Sequence, residues 1–174
     1  MNIFVLDPNP VIAAQYHCDQ HLHKMILESA QMLSTAAHIH FPQLKRHIYE
    51  PAYQNHPCTI WVSSALANME WVCHLANQLN EIRESKGCNR HSSMDVIKAI
   101  CDQFLSVDPQ NNIPTPSSFA EAMYPHIKIR QDLSTVEKYQ LYYRKKHAQW
   151  ALDKGRGMTY KDRPVPDFMK DLIV

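Results

Sequence analysis

His17-Cys18-Asp19-Gln20-His21-Leu22-His23-Lys24-Met25-Ile26-Leu27-Glu28-Ser29-Ala30-Gln31 is the stretch whose periodicity decides the fold. His17, His21, Lys24, Glu28, Gln31 and Thr35 recur in steps of four and three, which stacks them on one side of a single helix. Leu22, Ile26, Ser29, Leu33 and Ala36 fall on the other side, with Met25 and Met32 at its border, and make an ordinary core face. The first stripe places two imidazoles, an amine, a carboxylate and an amide along about four helical turns. Such a line is either a wet surface or the wall of an active site.

Outward from this stretch, Pro8 and Pro10 can start the helix near residue 9, and it runs to about His40 with a break admissible at His17 to Asp19. Residues 2–6 are β-prone but isolated, and read as an extended segment packed on the body. Pro42 to Pro57 is a polar loop. A second helix runs from Pro57 to about Lys86, with Trp61, Ala65, Met69, Val72, Ala76 and Leu79 as its apolar stripe and Gly87 as its stop. Ser92 or Ser93 caps a third helix through about Leu105. Val107 to Pro125 holds four prolines and reads as loop, with a short helical turn at Phe119 to Met123. A fourth helix extends from Thr135 to about Leu152. The expectation is an all-α fold: a single compact domain of three to four main helices over residues 1–152, with a basic C-terminal arm, 153–174, packed on it or extending from it.

Composition narrows the function. Three glycines against eleven prolines disfavour Gly-rich phosphate loops, and neither G-x-G-x-x-G nor G-x-x-x-x-G-K occurs. The one N-terminal apolar run is broken by Asp7 and Pro8, too short for a signal peptide or a membrane span, so a cytoplasmic protein without a membrane partner is expected. Five cysteines without a C-x-x-C pair read as reduced, mostly buried thiols. No cofactor is expected, and the oligomeric state is left open. The chain carries a net charge of only +1, yet residues 138–163 hold eight basic side chains against two acidic ones. That segment is interleaved with Tyr139, Tyr142, Tyr143, Trp150 and Tyr160, a composition suited to neutralising phosphates and stacking bases. It suits equally a solvated helix face whose aromatics pack inward.

Glu28 on one face with His21 and Lys24 suggests acid–base chemistry, although a helical Glu beside a Lys is more often an i,i+4 ion pair. His17 and His21 at i,i+4 suit a metal, with His38, His40 or His56 to complete a set, but no H-E-x-x-H or E-x-x-H accompanies them. Cys18 lies between His17 and Asp19 without any signature of an activated nucleophile. Asn55-His56-Pro57 precedes a helix start, where backbone donors attract anions and His56 can meet a phosphate.

Two resemblances follow from these motifs. Met1 to Pro10 in part, His17 to Leu33, Asn55 to Trp61 and Arg163 to Phe168 together resemble a phage-encoded family reading M-N-I-F-x-L-D, H-C-D-x-H-x-x-K-M-I-L-E-x-x-Q-M-L, N-H-P-C and R-P-x-P, which conveys no chemistry. More distantly, Asp19-Gln20-His21-Leu22 followed nine residues after Asp19 by Glu28, the aromatic helix ending at Gly87, and Tyr139-Gln140-Leu141-Tyr142-Tyr143-Arg144-Lys145 are similar to landmarks of the pyrimidine-dimer DNA glycosylase/AP lyase (endonuclease V) family of T-even phages. That resemblance implies an N-terminal α-amine nucleophile, here that of a Met1 retained because Asn2 is bulky, attacking C1′ of an extruded nucleotide to form a Schiff base. An α-amine titrates near pH 8, so a nucleophilic fraction exists at neutrality. Glu28 would be the acid–base group. The arginines that flank this Glu in the family are Leu27 and Gln31 here, so two phosphate contacts are missing.

The expected function is a glycosylase/lyase-like enzyme excising a damaged or modified pyrimidine from DNA, in the cytoplasm of an infected bacterial host. Its catalytic residues would be Met1, Glu28 and His21. His17, Lys24, Gln31, His56, Tyr142, Tyr143, Arg144 and Lys145 would bind substrate, with no metal. The alternatives are a non-catalytic phage accessory protein that binds a nucleotide or a host partner, and a metal-dependent hydrolase built on His17 and His21.

Overall fold

A computed structural model describes residues 1–107 and 115–173. All regular structure among them is helical. The helices are α1 (Pro10–Tyr16), α2 (Asp19–His40), α3 (Pro57–Ser64), α4 (Leu66–Ser85), α5 (Met94–Val107), α6 (Pro125–Lys128) and α7 (Thr135–Lys154), with 3-10 turns at Pro42–Leu44 and Asp167–Met169. No helix among the described residues is long and apolar enough to cross a membrane.

α2 is the central helix. It packs on α3, α4 and α5, while α1 lies against α4. Met25, Ile26, Met32 and Leu33 from α2 meet Met69, Trp71, Leu75 and Leu79 from α4 in a core where each is 0–2% exposed. Burying one such side chain contributes about 1.5–3 kcal/mol. The core face read from the sequence is therefore the face α2 presents to α4.

Two helices break where the periodicity alone runs on. The first breaks between Tyr16 and Asp19, inside the window the sequence allowed, and α2 begins at Asp19. There the Cys18 N–H donates to the Tyr143 hydroxyl (3.0 Å) and the Asp19 N–H to the Thr159 carbonyl (2.8 Å), so distant segments take up donors that a continuous helix would satisfy itself. The expected single helix from Pro57 to Lys86 is instead α3 and α4, parted at Ala65, whose backbone is extended. Fully buried Asn68 holds the break: its amide donates to the Trp61 carbonyl (2.8 Å) and to Ser117 Oγ (2.8 Å). The helical turn expected at Phe119 to Met123 lies instead at Pro125–Lys128, where proline opens the first turn. The part of the expected loop at 108–114 lies outside the described residues.

α7 starts at the expected residue because Ser134 and Glu137 form a reciprocal capping box, and it ends at Gly155 in the left-handed region (φ 61°). Residues 155–173 do not extend into solvent. Met158, Tyr160 and Met169 are buried, and the Tyr160 hydroxyl donates to the Tyr16 carbonyl (2.9 Å). The Met158 N–H donates to His147 Nδ1 (3.0 Å), and a Cβ added to Gly157 would lie 2.3 Å from that imidazole, so only glycine allows the chain to pass. At the other end Ile3 to Leu6 are 0–4% exposed, inserted as an extended strap beneath the helices. The N-terminal segment and the arm therefore both close on the start of α2.

Candidate active site at the chain start

Asn2 fixes the first residues. Its N–H donates to Glu28 Oε2 (2.8 Å), its side-chain amide donates to the Ala122 carbonyl (2.7 Å), and its Oδ1 accepts from the Phe4 N–H (2.8 Å). Phe4 takes a left-handed backbone (φ 39°), an uncommon conformation for a bulky side chain and one that costs energy. In return its ring stacks on His21 (centroids 5.0 Å apart) and on Tyr142 (5.9 Å).

Met1 is thereby directed. Its side chain is 2% exposed and accepts a hydrogen bond from Thr59 Oγ1, so the exposed part of the residue is main chain. The Met1 amino nitrogen lies 3.7 Å from Glu28 Oε2. The other carboxylate oxygen, Oε1, faces Lys24 Nζ at 3.4 Å, so Glu28 joins two cations with one atom each. Met1, Asn2, His56, Tyr124, Lys128 and Tyr142 line a cleft of about 330 Å³ at this point.

Around the carboxylate the charges are mostly positive. Burial and then the Met1 amino charge lower the pKa of His56, against the pull of Glu28. His56 Nδ1 accepts from the Cys58 N–H (3.2 Å) as the N-cap of α3, so in the neutral ring the proton sits on Nε2. Lys146 has its pKa lowered by burial and then by Lys24, while Glu28 opposes them, and its Nζ sits 5.2 Å from the Tyr142 ring centroid. A carboxylate beside an amine, ringed by Lys24, Lys146 and Lys128, can exchange a proton with that amine and hold an anionic ligand close to it.

The sequence-derived site residues separate into two groups. Met1, His56 and Tyr142 line the cleft, while buried Glu28 lies behind Met1 and reaches it through the amino nitrogen, with Lys24 on its other carboxylate oxygen. Gln31 is half-buried one turn beyond Glu28. His21, expected to be catalytic, is 2% exposed behind Phe4, out of direct reach of a substrate. The Tyr143 oxygen accepts from the Cys18 N–H, and the same hydroxyl is hydrogen-bonded to His21 Nδ1 (2.6 Å). Burial, then the charges of His17, Lys24 and Lys146, hold the His21 pKa well below its usual value. His21 is thus a neutral wall residue that positions Phe4.

His17 and Tyr143 are fully buried and cannot touch a ligand, because α7 and the strap cover that end of the stripe. Arg144 is committed to Asp171 (2.7 Å), and Lys145 is exposed on α7 without lining the cleft. Of the imidazoles in the metal reading, His17 donates to the Ala13 carbonyl, His38 to that of Tyr49, His40 to that of Ser63, and His56 caps a helix. Among the described residues no three His, Cys, Asp or Glu side chains come together as metal ligands. All five cysteines are free, and burial raises Cys18 and Cys58 to about 11, which leaves both as unreactive thiols.

Asn2, Phe4, Lys128 and Lys146 are absent from the sequence-derived site. Only Lys146 left a local trace, since it follows Tyr142 at i,i+4 on α7.

Burial of His17 has a measurable consequence. Burial chiefly, with the Arg163 charge adding to it against the Ala13 hydrogen bond, lowers its pKa to about 4. The unfolded imidazole takes a proton near pH 6.5, whereas the folded one stays neutral down to about pH 4. The unfolded state therefore binds more protons in that window, and stability falls as pH drops through it, by about 3 kcal/mol in full. Thermal unfolding at stepped pH should show this decline, and His17→Gln should reduce it, leaving the share that buried, neutral His21 and His91 contribute. An equal decline in the variant would assign it to other groups.

Compared with protein-family models, curated proteins and solved structures, the chain matches none.

Proposed function

We infer that this protein is a DNA glycosylase/AP lyase that removes a damaged or modified pyrimidine through the Met1 α-amine. The observation that carries the reading is the 3.7 Å separation of the Met1 nitrogen and Glu28 Oε2, with the Asn2 N–H fixing that same oxygen at 2.8 Å. A cleft beside this pair, bordered by Tyr124 and Tyr142 and by Lys128, offers aromatic faces to an extruded base and a cation to its phosphate. The likeness of Asp19 to Glu28 to the phage glycosylase pattern supports the same assignment.

In this reaction the amine lone pair forms the N–C1′ bond while the C1′–base bond breaks, and its electron pair leaves with the base. Glu28 takes the proton that the amine gives up and passes it to O4′ as that bond opens, while water protonates the departing base. Opening of the C1′–O4′ bond then yields the protonated imine. Loss of a C2′ proton expels the 3′ phosphate, and water frees the amine by hydrolysis. Lys24 and the Asn2 N–H keep the carboxylate in place throughout.

The test is borohydride trapping on oligonucleotides carrying an abasic site or a pyrimidine dimer. A covalent adduct is expected, mapping by proteolysis and mass spectrometry to the Met1 peptide. Acetylating the amine, or placing one residue ahead of Met1, should eliminate it. Failure to trap on either DNA, or trapping that survives acetylation, would defeat the assignment.

A further inference from the structure

A second cavity, of about 270 Å³, lies on the other side of Lys24 and is lined by Gln20, Lys24, Trp150, Lys154, Arg156 and Gly157. Apart from Lys24, its lining shares no residue with the groups around Met1. Its lining contains three cations and no carboxylate. Lys24 is paired with Glu28, but Lys154 and Arg156 enter no ion pair among the described residues. Three other cations of the basic segment are spent on carboxylates, Arg144 on Asp171, Arg163 on Asp19 and Lys138 on Glu121, whereas Lys145, Lys146 and Lys161, like Lys154 and Arg156, form no ion pair among the described residues but do not line this cavity. Cations left together around one concavity repel each other, and an anion placed there relieves that repulsion.

Trp150 makes the cavity more than a charged surface. The ring is only partly buried, with His21 against it (centroids 5.2 Å apart, 70° between planes) and Lys154 Nζ 5.0 Å from its centroid. An aromatic face among cations is the arrangement that binds a nucleic-acid strand without reading its bases. Gln20 and Gly157 form the floor, where the Gln20 amide meets the Gly157 carbonyl (3.4 Å) and Thr159 Oγ1 (3.2 Å), so docking of the arm completes the cavity. Lys24 is common to both places, since it lines this cavity and contacts Glu28 Oε1 at 3.4 Å.

We propose that the Trp150–Lys154–Arg156 cavity is a phosphodiester subsite, which holds the DNA strand beside the nucleotide that reacts at Met1. The identity of the strand rests on the glycosylase/lyase reading. The anion chemistry rests on the cavity alone. The subsite replaces the cations missing at Leu27 and Gln31 with cations drawn from the end of α7 and the start of the arm.

The experiment is a titration of the full chain with a duplex bearing a stable abasic analogue, read by tryptophan fluorescence over a series of salt concentrations, with inorganic phosphate in a parallel arm. DNA should quench the emission, and Trp150→Phe should remove that quench. Replacing both Lys154 and Arg156 by Gln should weaken binding about ten- to a hundredfold at low salt and reduce the slope of log affinity against log salt by about two. The same charge change at exposed Lys45 and Arg46, beyond the far end of α2, should leave the slope unchanged. Circular dichroism melting confirms that each variant is folded. An unaltered slope in the Lys154/Arg156 variant, or saturation by inorganic phosphate at the affinity seen for DNA, would overturn the subsite. If the slope changes while wild-type protein forms no borohydride adduct, the subsite stands and the amine chemistry falls. Adduct formation with an unaltered slope leaves the amine chemistry standing and removes the subsite.

Discussion

Glu28→Gln should reduce the rate of borohydride-trapped adduct formation by about 10²- to 10⁴-fold, the range that a positioned acid–base group contributes. The substitution is close to isosteric. The Gln carbonyl oxygen can still accept from the Asn2 N–H, which now donates to Oε2 at 2.8 Å, so the chain start keeps its place. What disappears is the negative charge 3.7 Å from the Met1 nitrogen and 3.4 Å from Lys24. Without it no adjacent group accepts the amine proton, and Lys24 and Lys146 are no longer offset by a carboxylate. DNA affinity should hold or rise slightly, because an acidic group is removed from a basic surface. Single-turnover kinetics with a parallel binding isotherm separate the two effects. A variant altered only in affinity, with wild-type trapping rate, would show that Glu28 is not the acid–base group of the amine chemistry.

Asp19→Asn should cost about 3 kcal/mol of stability, lowering the melting temperature by about 6–12 °C for a domain of this size. Asp19 is where the arm is tied down. Its Oδ1 meets Arg163 Nη2 (3.0 Å) and Lys86 Nζ (3.3 Å), while Oδ2 accepts from Thr159 Oγ1 (3.0 Å) and the Lys161 N–H (2.7 Å). An amide can satisfy only one of those two sides and turns its NH₂ toward donors on the other. Arg163, whose side chain is 13% exposed, loses its counter-ion and keeps the Gln15 and His17 carbonyls and the Tyr160 ring. Burial alone would raise the Asp19 pKa, but the Lys161 N–H, Arg163 and Thr159 outweigh it and hold the carboxyl below the usual carboxylate range. A group depressed on folding contributes stability above its unfolded pKa and loses it as pH falls through the folded one. Wild-type protein should therefore lose this contribution below about pH 4, and the variant should lack that acid step. An unchanged melting temperature in Asp19→Asn would show that the arm is held by its apolar contacts alone.

Gly87 as a stop, the start of α7 at Thr135 and the apolar stripe of α2 are legible along the chain, because caps and periodicity are properties of neighbours in sequence. The breaks at Cys18 and Ala65 are less so. One is held by Tyr143 and Thr159 and the other by Asn68 with Ser117, partners that no local pattern announces. The stripe from His17 to Thr35 does form one side of α2 from His21 onward. Its two ends have opposite surroundings, since the strap and α7 bury His17 and His21 while Lys24 stays exposed.

The amino-acid sequence by itself determined an all-α fold, the start of α7, the stop of α4 and the alignment of His21, Lys24 and Glu28, all of which follow from short-range backbone geometry. Tertiary structure alone decided which of those side chains a ligand can reach. It brought Met1 to within 3.7 Å of a carboxylate 27 positions away, and it folded the arm back to leave Lys154 and Arg156 without counter-ions among the described residues. The physical reason is that periodicity specifies a direction from the helix axis, whereas exposure and charge environment depend on which distant segment packs against that direction.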